Sequence, residues 1–513
     1  MKRTVFLLVG AFLVLMVPFS CNEDTVNLDP IGFTEAGYYQ NEEQMNEAVF
    51  GIYQRLGFFY KWNVQGFVHR VDLLPSDDLT RTGSGPFENF VGLDGNNSTL
   101  ANIYQYSYDM IARANTILQK IEENGDLAYQ REPDLLNVHR GEALFLRSWA
   151  NYKLWNTYGT APLVTERIID LDNAFPPNTT GTELLDQAIE DLRSAIQLLP
   201  EAWDDNNLGR ATRNSARGLL MKSLVYRGSV NGSSPDFTEA ITVFNSISGV
   251  SLMPNYRDNF DATLENNNES LFEVQADDNV LETNGWLTAA TDGFPVIGEI
   301  NSYYGYYTTS FEAGVTYLAT ESLLNAYNPE DPRYTLAFDA GGENTNVLKY
   351  ISTDQLVESG NPSNLSVNNT RILRYADVML LTAEAIVRSG GSLSEAMTLV
   401  NRIRERARNS ALPNDETGET PPPSSEPADL AVPATADEAL ELIFEERRLE
   451  LAAEEGHRWY DLRRRHLAGE IDLTTWDFSS TDPTFEFREF NVNFPLPESE
   501  VIDNPNMNQN QGY

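Results

Sequence analysis

The sequence predicts a mostly α-helical protein, a tetratricopeptide-like scaffold of helical hairpins with a loop-rich insertion that carries short β-hairpins. Three observations lead there. Apolar residues recur at three- and four-residue steps in run after run; the runs come in consecutive pairs, several closed by glycine or proline; and between about residues 249 and 369 the period lapses.

The chain opens on Lys2 and Arg3, an apolar run from Val5 to Val17, and Ser20 before Cys21, the single cysteine of 513 residues. This reads as a secretory signal peptide over residues 1–20. A lone cysteine directly behind the apolar run points to bacterial lipoprotein processing, with Cys21 acylated and residues 21–40 serving as a lipidated tether. Pro18 and Phe19 depart from the usual residues before such a cysteine. Nothing later resembles a membrane span, so the mature chain is expected to be anchored rather than threaded.

Helical periodicity starts at Asn41 or Glu42 and runs through Met45, Val49, Ile52 and Leu56. Further runs are expected over Leu100 to Glu123, Leu135 to Tyr158 (with a glycine stop at Gly159), Thr182 to Leu199, Ala216 to Arg227 and Phe237 to Ser246, which makes a helical array of about residues 41–246. The loop-rich region, about 249–369, has β-prone runs at Ser270 to Gln275 and Asn346 to Ile351 among Asn, Gly, Asp and Pro. Helices resume over about 370–466, with runs at Arg374 to Ser389, Leu393 to Ala407 and Ala436 to Ala453. Between Pro413 and Pro433 six prolines with Ser, Thr and acids read as a mobile surface loop.

Composition excludes several functions. Lys plus Arg number 36 against 76 Asp plus Glu, a formal charge of −40, and removal of residues 1–20 with Lys2 and Arg3 leaves −42. Such a surface repels phosphate backbones, so nucleic acid is not an expected partner. Only 6 of the basic residues are lysine, and an acidic, lysine-poor surface is a device of salt-adapted proteins. His69, His139, His457 and His466 form no HExxH or paired ligand spacing, so neither a catalytic metal nor another cofactor is expected. No nucleophile elbow, phosphate loop or dinucleotide fingerprint is visible. Plentiful carboxylates make a glycosidase, which needs two acids facing each other across a sugar, the enzyme reading hardest to dismiss. Asp77 and Asp78, adjacent in a loop, are candidates, but with 76 acids such pairs arise by chance and read as solvated surface. Glu446, Arg447, Arg448 and Glu450, with Glu454, Glu455, Arg458, Asp461 and Arg463, read as three- and four-residue ion pairs tying two helices together.

One concentration of aromatics lacks helical period: Trp286, Phe294, Tyr303, Tyr304, Tyr306 and Tyr307, among Asn284, Gly285, Asp292 and Asn301. Sugar rings pack their C–H faces on aromatic rings while amides bond the hydroxyls, so this is the pattern of a glycan platform. A weaker stretch of the same kind is Phe87, Phe90, Asp94, Asn96 and Asn97. The alternative, aromatics filling a small satellite core beneath the loops, stays equally open.

Several segments together resemble one family. Arg140-Gly141-Glu142-Ala143 through Arg147 to Tyr158-Gly159-Thr160-Ala161-Pro162-Leu163, Arg374-Tyr375-Ala376-Asp377 through Ala385, Asn401 to Ala407, Glu446-Arg447-Arg448-Leu449-Glu450-Leu451 with Gly456 to Arg464, and the closing Pro495-Leu496-Pro497, Asn504-Pro505 and Gln509 to Tyr513 are similar to the motifs of the SusD/RagB lipoproteins of Bacteroidetes. Ser148, Asp377 and Gln511 depart from the pattern. The resemblance implies a single SusD-like domain over residues 41–513 at the outer membrane, facing outward, a binding protein and not an enzyme. It implies a partner, a SusC-like TonB-dependent transporter, to which such proteins deliver oligosaccharides or, in the RagB branch, peptides; a mainly structural or gating lid is the third reading. The shared motifs are scaffold, so the expected ligand contacts come from the aromatic stretches: Trp286, Tyr303, Tyr304, Tyr306, Tyr307, Phe90 and Asn96. The net charge tilts the ligand toward a neutral oligosaccharide.

Overall fold

The computed structural model describes residues 35–60, 70–81, 85–171, 173–275, 317–338, 347–350, 368–410 and 421–513. Cys21 and the signal segment therefore lie outside the described residues. Ten longer helices dominate what is described: α1 Glu42–Gly57, α2 Ser98–Ala128, α3 Pro133–Tyr158, α4 Glu183–Leu198, α5 Arg213–Asn231, α6 Ser234–Phe244, α7 Tyr375–Arg388, α8 Leu393–Asn409, α9 Ala436–Glu450 and α10 His457–Leu467. Four short strands make two antiparallel pairs, β1 Leu79–Arg81 with β3 Tyr317–Ala319, and β2 Ser270–Val274 with β4 Thr370–Arg374.

Local chemistry sets the helix ends. The Asn41 side chain accepts from the Gln44 N–H at the start of α1, and Asn97 accepts from Thr99 and Leu100 at the start of α2. Capping boxes open α5 (Thr212 with Ser215) and α9 (Thr435 with Glu438). Pro133 sits in the first turn of α3, where its missing N–H costs nothing. At the far end Gly159 has φ +74, and a Cβ there would collide with Asn493, whose side chain takes a hydrogen bond from Arg463. That glycine therefore ends the helix and admits the C-terminal segment at once.

Neighbouring helices pack in chain order, α2 on α3, α3 on α4, α4 on α5 and α5 on α6, with α1 against both α2 and α3. The stack continues directly from α6 to α7, although about 130 residues of chain separate them, and α7 carries α8 and α9. The loop-rich region is thus inserted into a continuous helical stack. Its strands β2 and β4 rest on α5. Helix α3 is the centre: every residue from Gly141 to Tyr158 is buried, so this part of the helix is enclosed on all sides. A second apolar cluster lies between α7, α8 and α9, built on Met379, Leu380, Val400, Ile403 and Ile443.

Three expectations need correction. Of the expected strand at 346–351, described residues contribute one bridge, Val347 opposite Phe338, followed by a turn. Ahead of α1, Glu35–Gly37 forms a 3-10 turn and Glu35 takes a bidentate bond from Arg167 at 2.6 and 2.8 Å. In the proline-rich loop, residues 421–433 are laid onto α8: Asn401 exchanges hydrogen bonds with Leu430 at 2.9 and 2.7 Å, and Arg404 donates to the Ala428 carbonyl at 2.7 Å.

The largest correction concerns the charged motif on α9. Arg447 does join α9 to α10 through Asp461 at 2.7 Å, but the other partners are distant in sequence and buried. Glu450 receives Arg374 and Arg333 at 3.1 Å each, and Arg406; Glu446 receives Arg333 at 2.7 Å and Arg404 at 2.6 Å; Glu454 receives Arg374 at 2.7 Å and Lys349 at 2.5 Å. A second chain of charges runs from Lys222 on α5 to Asp377 on α7 (3.0 Å), to Arg447 on α9 (2.8 Å), and on through Asp461 and Arg464 to Glu384 on α7. Burial alone would raise these carboxyls, yet the guanidiniums around Glu450 and Glu384 hold both down at about 2. His457 faces Lys222 at 3.0 Å, and burial together with that ammonium pushes its pKa far below the ordinary histidine range.

Candidate ligand-binding site

One small ladder, β1 with β3, lies just before the stretch 87–97 in the chain and takes in Tyr317–Ala319, downstream of the second aromatic stretch. The chain enters the segment 276–316 after β2 and Gln275 and leaves it at β3, where Tyr317, Leu318 and Ala319 stand opposite Arg81, Thr80 and Leu79 of β1. Two further bonds stitch this return to the chain just before β1, since Thr320 donates its N–H to the Asp78 carbonyl (2.9 Å) and its hydroxyl to the Asp77 carbonyl (2.6 Å). From the other end of β1, Thr80 and the Arg81 N–H both donate to the carboxylate of Glu88, in the single-turn helix Pro86–Asn89. The stretch 87–97 and the chain from Tyr317 onward are therefore joined through β1. Trp286, Tyr303, Tyr304, Tyr306 and Tyr307 lie outside the described residues.

Phe90 and Asn96 are described, and they part ways. Phe90, at φ +59, is 5% exposed, with Phe487, Phe478 and Phe485 edge-on at 4.9, 5.4 and 6.0 Å and Trp459 tilted at 6.0 Å. Its faces are spent on packing, so this ring is satellite core and not a stacking platform. Phe87 is likewise buried, edge-on to Phe494. Asn97 is committed as the cap of α2, whereas Asn96 is exposed on the turn, its N–H donating to Asp94 at 2.8 Å. The partners of Phe90 lie almost 400 residues onward, which is why its surroundings were not legible locally.

Asp77 and Asp78 are not solvated surface: they are 2% and 1% exposed beneath β1. Arg458 grips Asp77 with two bonds of 2.7 Å, and Arg448 reaches Asp78 at 2.7 Å. Burial pushes the Asp78 carboxyl above its ordinary range, while for Asp77 the Arg458 and Arg448 guanidiniums outweigh burial and hold it below. Clamped in this way, the two acids brace the ladder; they do not face each other across an open cleft as a hydrolytic acid and base would. Beside them lies a residue the sequence reading did not single out. Trp476 is half-buried, its Nε1 3.4 Å from Asp77 Oδ2 and its ring 5.8 Å from the Arg458 guanidinium. The available signal was an indole in a Thr-Trp-Asp turn without helical period.

Among the described residues one group has metal-ligand chemistry: His466, Asp472 and Glu489 bring ligand atoms within 4.8 Å of one another. Their present bonds account for the arrangement, since His466 Nε2 meets Glu489 at 3.2 Å and Asp472 Oδ1 accepts from both the N–H and the hydroxyl of Thr474.

Comparison with known proteins agrees with this architecture. A family model described as "SusD family" matches residues 303–513, and one described as "Starch-binding associating with outer membrane" matches residues 81–225. SusD-like protein P2 of Formosa agariphila is 24% identical, with 98% of this chain and 99% of that protein aligned. Among solved structures, a SusD homolog from Bacteroides thetaiotaomicron has a TM-score of 0.73 at 19% identity, covering 96% of this chain and 100% of that one. A laminarin-binding SusD-like protein has a TM-score of 0.69 at 24% identity, covering 93% and 100%. With family models over both halves and relatives aligned from end to end, the chain belongs to the SusD-like family.

Proposed function

We propose that this protein is a lipid-anchored, surface-exposed glycan-binding protein that captures neutral oligosaccharides and hands them to a SusC-like TonB-dependent transporter. Cys21 is the attachment point to the outer membrane. Trp286, Tyr303, Tyr304, Tyr306 and Tyr307 supply the stacking faces, and Asn96 on the neighbouring turn supplies an amide to the sugar hydroxyls. One observation carries the reading: Trp286, Tyr303, Tyr304, Tyr306 and Tyr307 concentrate rings without helical period among Asn, Gly and Asp, in a chain of this family. The laminarin-binding neighbour supports a carbohydrate as the ligand class, and the formal charge of −40 supports a neutral one.

Affinity electrophoresis of the mature chain in gels containing laminarin, starch, xylan or alginate tests this. Retardation by a neutral polymer, abolished in Trp286→Ala and Tyr304→Ala, is expected. Retardation by alginate alone would overturn the neutral-glycan reading, and binding only to a peptide pool would replace it with the peptide-binding one. Unchanged import by cells carrying binding-dead variants would make the protein a gating lid.

A further inference from the structure

A groove lies on the helical scaffold, where no aromatic concentration marks it in the sequence. The loop between α4 and α5 and the turn before β2 enclose a groove of about 550 Å³, within the ordinary size range of small-ligand sites. Trp203 is half-buried in its wall and its ring is held on two sides. Nε1 donates to the Ala211 carbonyl at 2.9 Å, and the guanidinium of Arg210 lies over one face, 4.3 Å from the ring centroid. Arg210 is itself locked, by two bonds to Glu142 (2.8 and 2.6 Å) and one each to Asn46 and Asn207 (3.0 Å). The indole is therefore preorganised, and ordering it costs nothing on binding.

The lining also includes the turn Asn266, Asn267 and Asn268. Asn266 takes the left-handed conformation, φ +50, and is fixed by Glu273 and Gln275. Asn268 is exposed, and its side-chain amide has no hydrogen bond among the described residues. Leu208, 54% exposed, extends the apolar surface beside the ring. The charged side chains of the lining are all neutralised by partners outside it: Glu201 by Arg213 and Arg217, Arg210 by Glu142, and Glu273 by Arg371. A groove with a fixed ring, an apolar shoulder, a free amide and no uncompensated charge is chemically matched to an uncharged polyhydroxylated ligand and not to an ion. Gly209, at φ +89, packs so closely on Gln275 that any side chain there would collide, which places the groove at the stem where the chain enters segment 276–316.

We infer that this groove is a second carbohydrate-binding site, taking a short neutral oligosaccharide between Trp203 and Asn268. It rests on the glycan-binding reading above but not on the residues that reading uses. Native mass spectrometry of the mature chain with laminaritetraose, maltotetraose and cellotetraose counts the bound ligands. The parent chain is expected to bind two molecules of one of these, and Trp203→Ala and Trp286→Ala one each. Asn268→Ala, an exposed change that leaves the fold untouched, should weaken the groove about fivefold, the loss of one hydrogen bond. Near-ultraviolet circular dichroism checks that Trp203→Ala is folded, and Asn268→Ala decides the matter if it is not. Two ligands retained with parental affinity in both groove variants, or a single ligand in the parent that Trp286→Ala removes, would overturn the groove and leave the glycan-binding reading standing. No binding of any of the three by the parent would overturn both.

Discussion

The two ends of the helical stack are held by different means. From α2 to α4 the helices meet along apolar faces, with Leu184, Leu185, Ile189 and Leu192 of α4 fully buried against α3. Charge enters there as isolated pairs, such as Arg147 with Asp191 at 2.7 Å. Where α7, α9 and α10 meet the β2–β4 pair, the interior is instead a connected lattice of Arg, Lys, Asp and Glu. Apolar packing is tolerant of small shifts, because dispersion and burial are non-directional. Bidentate guanidinium–carboxylate bonds are not, and they suit a junction assembled from chain segments on both sides of a long insertion. The cost is fragility, since a buried ion pair adds little net stability when intact and destabilises strongly when one partner is lost.

That contrast can be broken at either end. Glu450→Ala strands Arg374, Arg406 and Arg333 without their shared carboxylate, and a loss of about 3–5 kcal/mol is expected in urea unfolding. Leu192→Ala in α4 should cost about 2–5 kcal/mol by cavity formation, with the same deficit at pH 4 and pH 7. A pH-dependent deficit for Leu192→Ala, or a negligible one for Glu450→Ala, would dissolve the distinction.

Acid sharpens it next. Glu450 and Glu384 are held at about 2 in the folded protein, below the ordinary glutamate value of 4.5. The stability they contribute is complete above the unfolded pKa and drains away as pH falls from about 4.5 through 2. Hydrogen exchange over that window should show α7, α9 and α10 losing protection before α2 to α4; the reverse order would contradict the assignment.

The smallest expected effect is that of salt. Of the lysines among the described residues, Lys153, Lys222 and Lys349 are buried with carboxylates, and Lys120 is clasped by Glu35 and Glu123. Among the described residues the surface is thus even poorer in lysine than the composition, and screening its negative charge should raise Tm by about 1–2 °C between low and molar KCl. Indifference to salt would remove the basis for a saline setting.

Helical period was enough to read α1 to α9, whose ends fall within a few residues of those expected, because an apolar stripe runs along each even where buried charges flank it. It did not separate α10, whose buried Arg463, Arg464 and Arg465 look polar on every side until their partners are known. Strands β1 and β3, three residues each, carry no usable alternation. Phe90 shows the same limit in the site: a ring beside asparagines has one composition whether it faces a ligand or four other rings. Trp203 shows the converse, an isolated indole made into a groove wall by Arg210 and by a turn more than 60 residues away.

By itself the sequence determined the helices and the family, because period and motif order are local properties of the chain. Only the tertiary structure decided that α6 continues into α7 across the insertion, that the α9 acids serve a buried lattice, that Asp77 and Asp78 brace a ladder, and that Phe90 is core. Each of these depends on which side chain arrives from a distant segment to share a charge or cover a face, and desolvation by that neighbour sets what the residue can do.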